Sequence, residues 1–392
     1  MKFEFRFPTR VVFGPGERSR LGREVASLGR RALVVIGGGS VRRSGALDQA
    51  LASLADAGVE ATVFAGIEPN PRLPTVVRGA EAARQAGADV VVALGGGSVM
   101  DAAKVIAAAV LYAGDPWDMM YVGRRRPRLP DRALPIVTVP TLAATGSEMN
   151  MGAVITNPDT TEKTAVLAPC LYPAVAVIDP ELTLTVPPDQ TAYGVVDLIT
   201  HVTESYFNGV GGTPLQDRMA EGVIRTALAF GPRAVRDGAD LEARTQVQWA
   251  SVVALNGWVQ TGCFAPFPVH GIEHALSAHT DIAHGAGLAI VSPAWMRFAS
   301  ASDPSRAAAM GRNVFGVDRP DDATAAAEGI DRLEAFFASL GAPVRLSQAG
   351  IAADRIPAFA ADAVRVAGDG NVVPGRPAAT RADVEALLTA AA

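Results

Sequence analysis

Leu33-Val-Val-Ile-Gly-Gly-Gly-Ser-Val41 and Val91-Val-Ala-Leu-Gly-Gly-Gly-Ser-Val99 are two versions of one phrase. Each puts a short, wholly apolar run directly before Gly-Gly-Gly-Ser and a helical stretch. A run that is apolar on both faces suits a strand buried on both sides, the condition of a parallel sheet covered by helices. The alternation continues around these phrases. Ala32–Ile36, Ala61–Phe64, Asp89–Leu94 and Leu134–Val139 read as strands. Ser44–Ala57, Pro74–Ala86 and Ser98–Leu111 read as helices. Strands alternating with helices predict an α/β fold. Two occurrences are not a repeat array, but they suggest that two strand-to-helix turns of one sheet face the same ligand.

The character changes at Val186-Pro-Pro-Asp189, where Asp189 is a candidate N-cap after two prolines. Beyond it, Asp189–Phe207, Leu215–Phe230, Leu241–Thr261, Gly271–Ala278 and Asp321–Leu340 read as helices, and β-branched runs become scarce. The expected plan is an α/β dinucleotide-binding domain over residues 1–186, with a parallel sheet and flanking helices. An all-α metal and substrate domain over 187–392 follows it, with the site in the cleft between them.

Bulk properties exclude several classes. The 392 residues are 49% apolar and 19% charged, as in a packed globular protein. A net charge of −5 argues against nucleic acid or an anionic membrane as partner. Two cysteines, Cys170 and Cys263, form no disulfide framework and fit a reducing compartment. The longest apolar stretch, near Val90–Leu111, is broken by glycines, Asp101 and Lys104. The N-terminal stretch has no signal-peptide core, so the expected location is cytoplasmic. Its alternating Phe3, Phe5 and Phe7 predict a half-buried strand.

Gly95-Gly-Gly-Ser98 before a helix is a candidate pyrophosphate cradle, because glycines let backbone N–H groups approach the anion and the helix dipole adds to them. It is neither a Walker A motif nor the usual Rossmann spacing. Gly37, Gly38, Gly39 and Ser40, followed by Arg42 and Arg43, stand where an NAD site usually carries an acid. Small donors and nearby cations accept a 2′-phosphate, so this turn favours NADP(H). The loop Thr138-Val-Pro-Thr141-Leu142-Ala-Ala-Thr145-Gly-Ser-Glu148 offers hydroxyls to the same cleft or caps a helix.

Four of the five histidines fall between His270 and His284. Asp197 and His201, four apart, share one helix face, as do His270 and His274. A carboxylate and an imidazole among Val195, Val196, Ile199 and Val202 need a partner if buried; a metal and a simple Asp–His ion pair both serve. The histidine density favours one divalent metal, iron or zinc, held by three imidazoles and a carboxylate, with a remaining histidine as a proton relay or a group that supports the shell. Tyr206, Trp258, Phe264 and Phe267 are candidates for an apolar substrate pocket.

Taken together, Gly95-Gly-Gly-Ser-x-x-Asp101-x-x-Lys104, the Thr138 to Glu148 loop, Asp197-x-x-x-His201 and the His270, His274 and His284-Gly spacing resemble the iron-containing (group III) alcohol dehydrogenases. The chain looks most like their NADPH-dependent butanol dehydrogenase or aldehyde reductase branch, from Val12 to about Ala299. The resemblance implies Asp197, His201, His270 and His284 as metal ligands and His274 as the catalytic proton relay. It implies Gly95, Gly96, Gly97 and Ser98 at the pyrophosphate, and Asp101 near the nicotinamide ribose. Asn70, Thr138, Thr141, Leu142, Thr145, Lys163 and Leu182 would line the cofactor site. His279 would be no ligand but a group beside the shell or the substrate. The implied reaction is NADP(H)-linked hydride transfer on small aliphatic alcohols and aldehydes, in a homodimer or larger homo-oligomer. The rival readings are a related reductase with a specialised substrate (glycerol-dehydrogenase-like or maleylacetate-reductase-like) and a non-catalytic NADP-binding protein with a structural metal.

Overall fold

The structure, a computed structural model, describes residues 2–263 and 265–392. Five strands come first: β1 (Arg10–Phe13), β2 (Arg31–Gly37), β3 (Glu60–Ile67), β4 (Val90–Gly95) and β5 (Ile136–Pro140). A hairpin, β6 (Gly152–Asn157) and β7 (Glu162–Leu167), precedes β8 (Val175–Ile178). The main sheet has six parallel strands in the order β1-β8-β5-β4-β2-β3. Helices α1 (Leu21–Ala26), α2 (Ser40–Arg43), α3 (Ala46–Asp56), α4 (Leu73–Gln85) and α5 (Gly97–Ala109) connect the strands. One sheet face packs on α4, α5 and the hairpin, the other on α1 and α3. Every residue of β4 is therefore buried. This is the two-sided covering that the continuous apolar runs predict.

Strands β2 and β4 are neighbours, with Val35 opposite Ala93 and Ile36 opposite Leu94. From β2 the chain moves outward to β3, and from β4 it moves the other way to β5. Their carboxyl ends flank the point where strand order reverses, which is where open α/β sheets bind ligands. Both Gly-Gly-Gly-Ser turns open at that point.

The second half is helical. Helix α6 (Pro188–Asn208) is buried along almost its whole length from Thr191. It packs on α7 (Pro214–Arg236), α8 (Leu241–Leu255) and α10 (His284–Ser302). Helix α9 (Pro268–Thr280) runs into α10 through a left-handed turn at Asp281, φ 55°. Helices α11 (Ser305–Phe315), α12 (Asp322–Ser339), α13 (Ile356–Asp362) and α14 (Arg381–Ala390) complete the layer.

Three expectations need correction. Residues 2–9 form no strand: Phe5 and Phe7 pack edge-on at 5.3 Å and lie against Trp258 at 6.5 and 6.0 Å. Alternation alone, with no strand to pair with, makes an aromatic cluster instead. Helix α8 stops at Leu255 rather than Thr261, because Gly257 takes φ 100° and Gln260 accepts its N–H. The helical half also holds a two-strand ribbon, β9 (Val372–Val373) with β10 (Ala379–Thr380), so it is not purely α.

Candidate active site

Helix α5 begins at Gly97 with no side chain capping its N-terminus, so its free N–H groups face the crevice. Close packing leaves no room for a Cβ at Gly97 and only ordinary contact distance at Gly96. A Cβ on Gly97 would lie 2.4 Å from Thr145 Cγ2, and one on Gly96 would meet Leu142 at 3.5 Å. The Thr141 N–H also donates to Gly95 O at 3.0 Å. The loop after β5 thus lies directly on the glycine turn and brings Thr141, Leu142 and Thr145 to it. The first turn is more open: nothing lies within 4 Å of a Cβ on Gly38, while one on Gly39 would sit 3.4 Å from Arg43 Nη1. Ser40, Arg42 and Arg43 form the short helix α2, with both arginines exposed. Leu182 joins Leu94, Val139, Ala46, Ala50 and Gln49 around a cavity of about 600 Å³ beside the same strand ends.

Other expected cofactor residues are placed differently. Thr138 is fully buried in β5 and donates to Glu148 O at 3.5 Å. Asp101 accepts the Ser147 hydroxyl at 2.6 Å and the Val154 N–H at 2.8 Å, so both carboxylate oxygens brace the loop and hairpin. Buried Lys104 adds to this brace, donating to Asn150 O, Asn150 Oδ1 and Gly152 O at 2.8–3.0 Å. Lys163 is buried too. Its Nζ donates to Asn70 Oδ1 at 2.8 Å and lies 3.5 Å from Glu273 Oε2.

The same loop leads to the histidines. A Cβ on Gly194 would lie 2.1 Å from Ala143 O, so α6 touches the loop one turn before Asp197. Around Asp197 Oδ1 stand His201 Nε2 at 3.4 Å, His270 Nε2 at 3.8 Å and His284 Nε2 at 3.9 Å. The His201 and His270 rings stack at 4.8 Å, 19° apart. Asp197 Oδ1 and His270 Nε2 are buried without a hydrogen-bond partner among the described residues. Buried orphans of this kind are costly unless something coordinates them. Three imidazole nitrogens and a carboxylate oxygen at these separations suit one tetrahedral dication with bonds of about 2.0–2.2 Å. The residues therefore fit a metal.

Electrostatics agree. Burial pushes the His201 ring down to about 3, leaving it the neutral imidazole a metal needs. Burial opposes charge on Asp197 too, but His201 and the two other imidazoles hold it at about 2. Burial works against a proton on His270, yet Asp197 and Glu204 raise the ring to about 9, marking a place that attracts positive charge. A second trio, Glu273, His274 and His284, also has donor atoms close together. It does not compete as a site, because Glu273 is already engaged by His284 Nδ1, Ser277 Oγ and Lys163.

His274 stands beside the shell, its ring 6.3 Å from His270 and 5.6 Å from His284. Burial, and next the Lys163 ammonium, hold it well below the ordinary histidine range, so it is neutral. His279 is not beside this shell. Its Nε2 pairs with Asp362 at 2.6 Å and its ring packs on Phe359, joining α9 to α13. Of the expected pocket aromatics, Phe267 lies 5.4 Å from His270. Trp258 belongs to the N-terminal cluster, and Tyr206 is buried with its hydroxyl donating to Glu221 at 3.0 Å. Phe264 lies outside the described residues.

The sequence reading missed two carboxylates. Glu204 accepts the His270 N–H at 2.9 Å and lies 3.1 Å from His270 Nδ1, while Glu273 pairs with His284 Nδ1. Spacing carried only part of the signal: Glu204 follows His201 by three positions and Glu273 follows His270 by three, each on the face of a ligand's helix, but the histidine each one holds belongs to the next helix in the shell, His270 on α9 and His284 on α10.

Comparison with known proteins agrees with this geometry. The family model "Iron-containing alcohol dehydrogenase" matches residues 8–180 and "Fe-containing alcohol dehydrogenase family, C-terminal" matches 191–392, so the likeness does not fade after Ala299 as expected. The chain is 42% identical over 370 residues to NADH-dependent butanol dehydrogenase A of Clostridium acetobutylicum, covering 94% of each chain. It is 36% identical over 359 residues to the NADPH-dependent aldehyde reductase YqhD of Escherichia coli, covering 91% of each. The crystal structure of NADH-dependent butanol dehydrogenase A from Thermotoga maritima superposes with a TM-score of 0.94 at 38% identity, over 100% of this chain and 98% of that one. With both halves matched, a parallel-sheet nucleotide cleft and a histidine-rich centre between them, the chain belongs to the iron-containing alcohol dehydrogenase family.

Proposed function

We propose that this alcohol dehydrogenase is a metal-dependent, NADP(H)-linked enzyme that interconverts small aliphatic alcohols and aldehydes. Residues 1–186 would serve the cofactor and 187–392 the metal and substrate. One observation carries the reading: the orphaned Asp197 Oδ1 lies one helix turn beyond Gly194, whose backbone touches the loop packed on the Gly95–Gly97 turn, and the orphaned His270 Nε2 of α9 lies 3.8 Å from it. Cofactor cradle and metal shell thus face one cleft.

Asp197, His201, His270 and His284 would hold a dication; three nitrogens and one oxygen suit iron or zinc. When bound, the dication supplies Lewis-acid polarisation of the substrate oxygen, and the reduced nicotinamide supplies the hydride. The chain's own parts do the rest. The α5 N-terminus and the glycine turn receive the pyrophosphate, and the cavity walled by Leu94, Val139 and Leu182 receives the adenosine. His274, neutral and next to the shell, relays a proton to or from the substrate oxygen, taking up one proton as it passes on another. Phe267 gives the pocket an apolar wall at His270.

NADP(H) is supported by the open space at Gly38 and by Arg43 folded against Gly39. The clostridial relative's name states NADH and the E. coli relative's NADPH, so relative kcat/KM with the two cofactors is the deciding quantity. A homodimer or larger homo-oligomer is supported by the edge strand β1 and the exposed Phe3, Phe5, Trp249 and Trp258 around it; a monomer by light scattering would refute it.

Replacing His270 by Ala tests the central reading. Metal content and aldehyde reduction are expected to fall together, activity by ~100-fold or more. A metal-free variant that keeps its turnover contradicts the assignment.

A further inference from the structure

Glu273 is completely buried and each of its contacts comes from a different part of the site. One oxygen meets His284 Nδ1 and, at 3.5 Å, Lys163 Nζ; the other accepts Ser277 Oγ. Lys163 sits on hairpin strand β7 and donates to Asn70 Oδ1. Asn70 donates in turn to Asp281 Oδ1 at 3.0 Å and Ile282 O at 3.3 Å, in the turn that leads into His284. Asn70 and Asp281 are two of only three non-glycine residues with positive φ among those described, at 51° and 55°. Conformations of that cost persist where the surroundings over-determine them. Gly287 clears the space: a Cβ there would lie 2.8 Å from Glu273 Oε1.

The contrast with the other ligands is informative. Asp197 and His201 are set by one rigid helix, and His201 Nδ1 has no hydrogen-bond partner among the described residues. His284 begins α10 just after a turn, so its ring depends on what holds Nδ1. We propose that Glu273 is the positioning residue that aims His284 at the metal, and that Lys163, through Glu273, makes the metal shell depend on the hairpin of the cofactor-binding half. This rests on the metal reading of Asp197, His201, His270 and His284.

The sign of one substitution separates positioning from simple electrostatics. Lys163 places a positive charge near a cation site, so a purely Coulombic role predicts that Lys163→Met tightens metal binding. Positioning predicts that it loosens it. The test strips the full chain with a chelator and titrates it with Co²⁺ alone. Affinity is read by competition and geometry by the visible cobalt bands. Glu273→Gln is expected to weaken Co²⁺ by ~10- to 100-fold and to alter the bands. Lys163→Met is expected to weaken it in the wild-type background and to add less than about 2-fold in the Glu273→Gln background. Should Glu273→Gln not fold, Lys163→Met alone carries the test through its spectrum and the direction of its affinity change. Wild-type bands and affinity in Glu273→Gln, or tighter binding in Lys163→Met, overturn the proposal. A wild-type chain that takes no Co²⁺ overturns the metal reading itself.

Discussion

At the residue scale, partners decide what five identical side chains do. His201 and His270 point orphaned or unshared nitrogens at Asp197, His284 is held from behind by Glu273, His274 stands neutral beside them, and His279 is spent on Asp362. Spacing alone exposes His201, His270 and His274, because i and i+4 positions share a helix face; His284 opens the next helix and has no such pair. It cannot place His279, whose partner is 83 residues away. Arg43 is the residue-scale test of cofactor choice. Its guanidinium lies by Gly39, the approach a 2′-phosphate would use. Arg43→Ala is expected to lower kcat/KM for NADPH by ~10-fold and leave NADH within about 2-fold, as losing a charge-assisted hydrogen bond would. Equal losses with both cofactors would assign Arg43 to structure alone.

At the element scale, the loop after β5 joins the two halves and carries buried charge to do so. Burial raises the Glu148 carboxyl to about 7, against its Lys104 neighbour and the Gln248 amide, which donates to it at 3.2 Å from α8. A folded value above the unfolded one means the folded state binds the extra proton. Glu148's contribution is therefore present below pH about 4.5 and is lost as pH rises through about 7. The span corresponds to on the order of 3 kcal/mol. Glu148→Gln keeps the acceptor without the ionisation. Measured by thermal melting, its stability relative to wild type is expected to be greater at pH 7.5 than at pH 5. A difference that does not change with pH would show that Glu148 does not ionise in this range.

At the scale of the whole molecule, the parallel sheet was legible because β2 and β4 are apolar on both faces, and the glycine phrases mark its ligand end. The hairpin β6–β7 was not legible. Glu162, Lys163 and Thr164 are polar yet buried, held by partners far along the chain such as Arg365 and Asn70. The start of α10 was hidden as well, since His284-Gly-Ala-Gly reads as a loop. Those glycines are demanded by packing: a Cβ on Gly285 would lie 2.3 Å from Tyr193 O of α6. Sequence spacing thus reveals side chains that share an element, while the carboxylates and lysine that aim them across elements appear only in three dimensions.

The central claim is that one bound dication and one reduced nicotinamide work in the cleft between the halves. Its most direct test is the initial rate of NADPH oxidation with butanal before chelation, after it, and after restoring single ions. The account predicts a rate that vanishes with the chelator and returns with one added divalent metal. A rate indifferent to chelation in metal-free protein would contradict it.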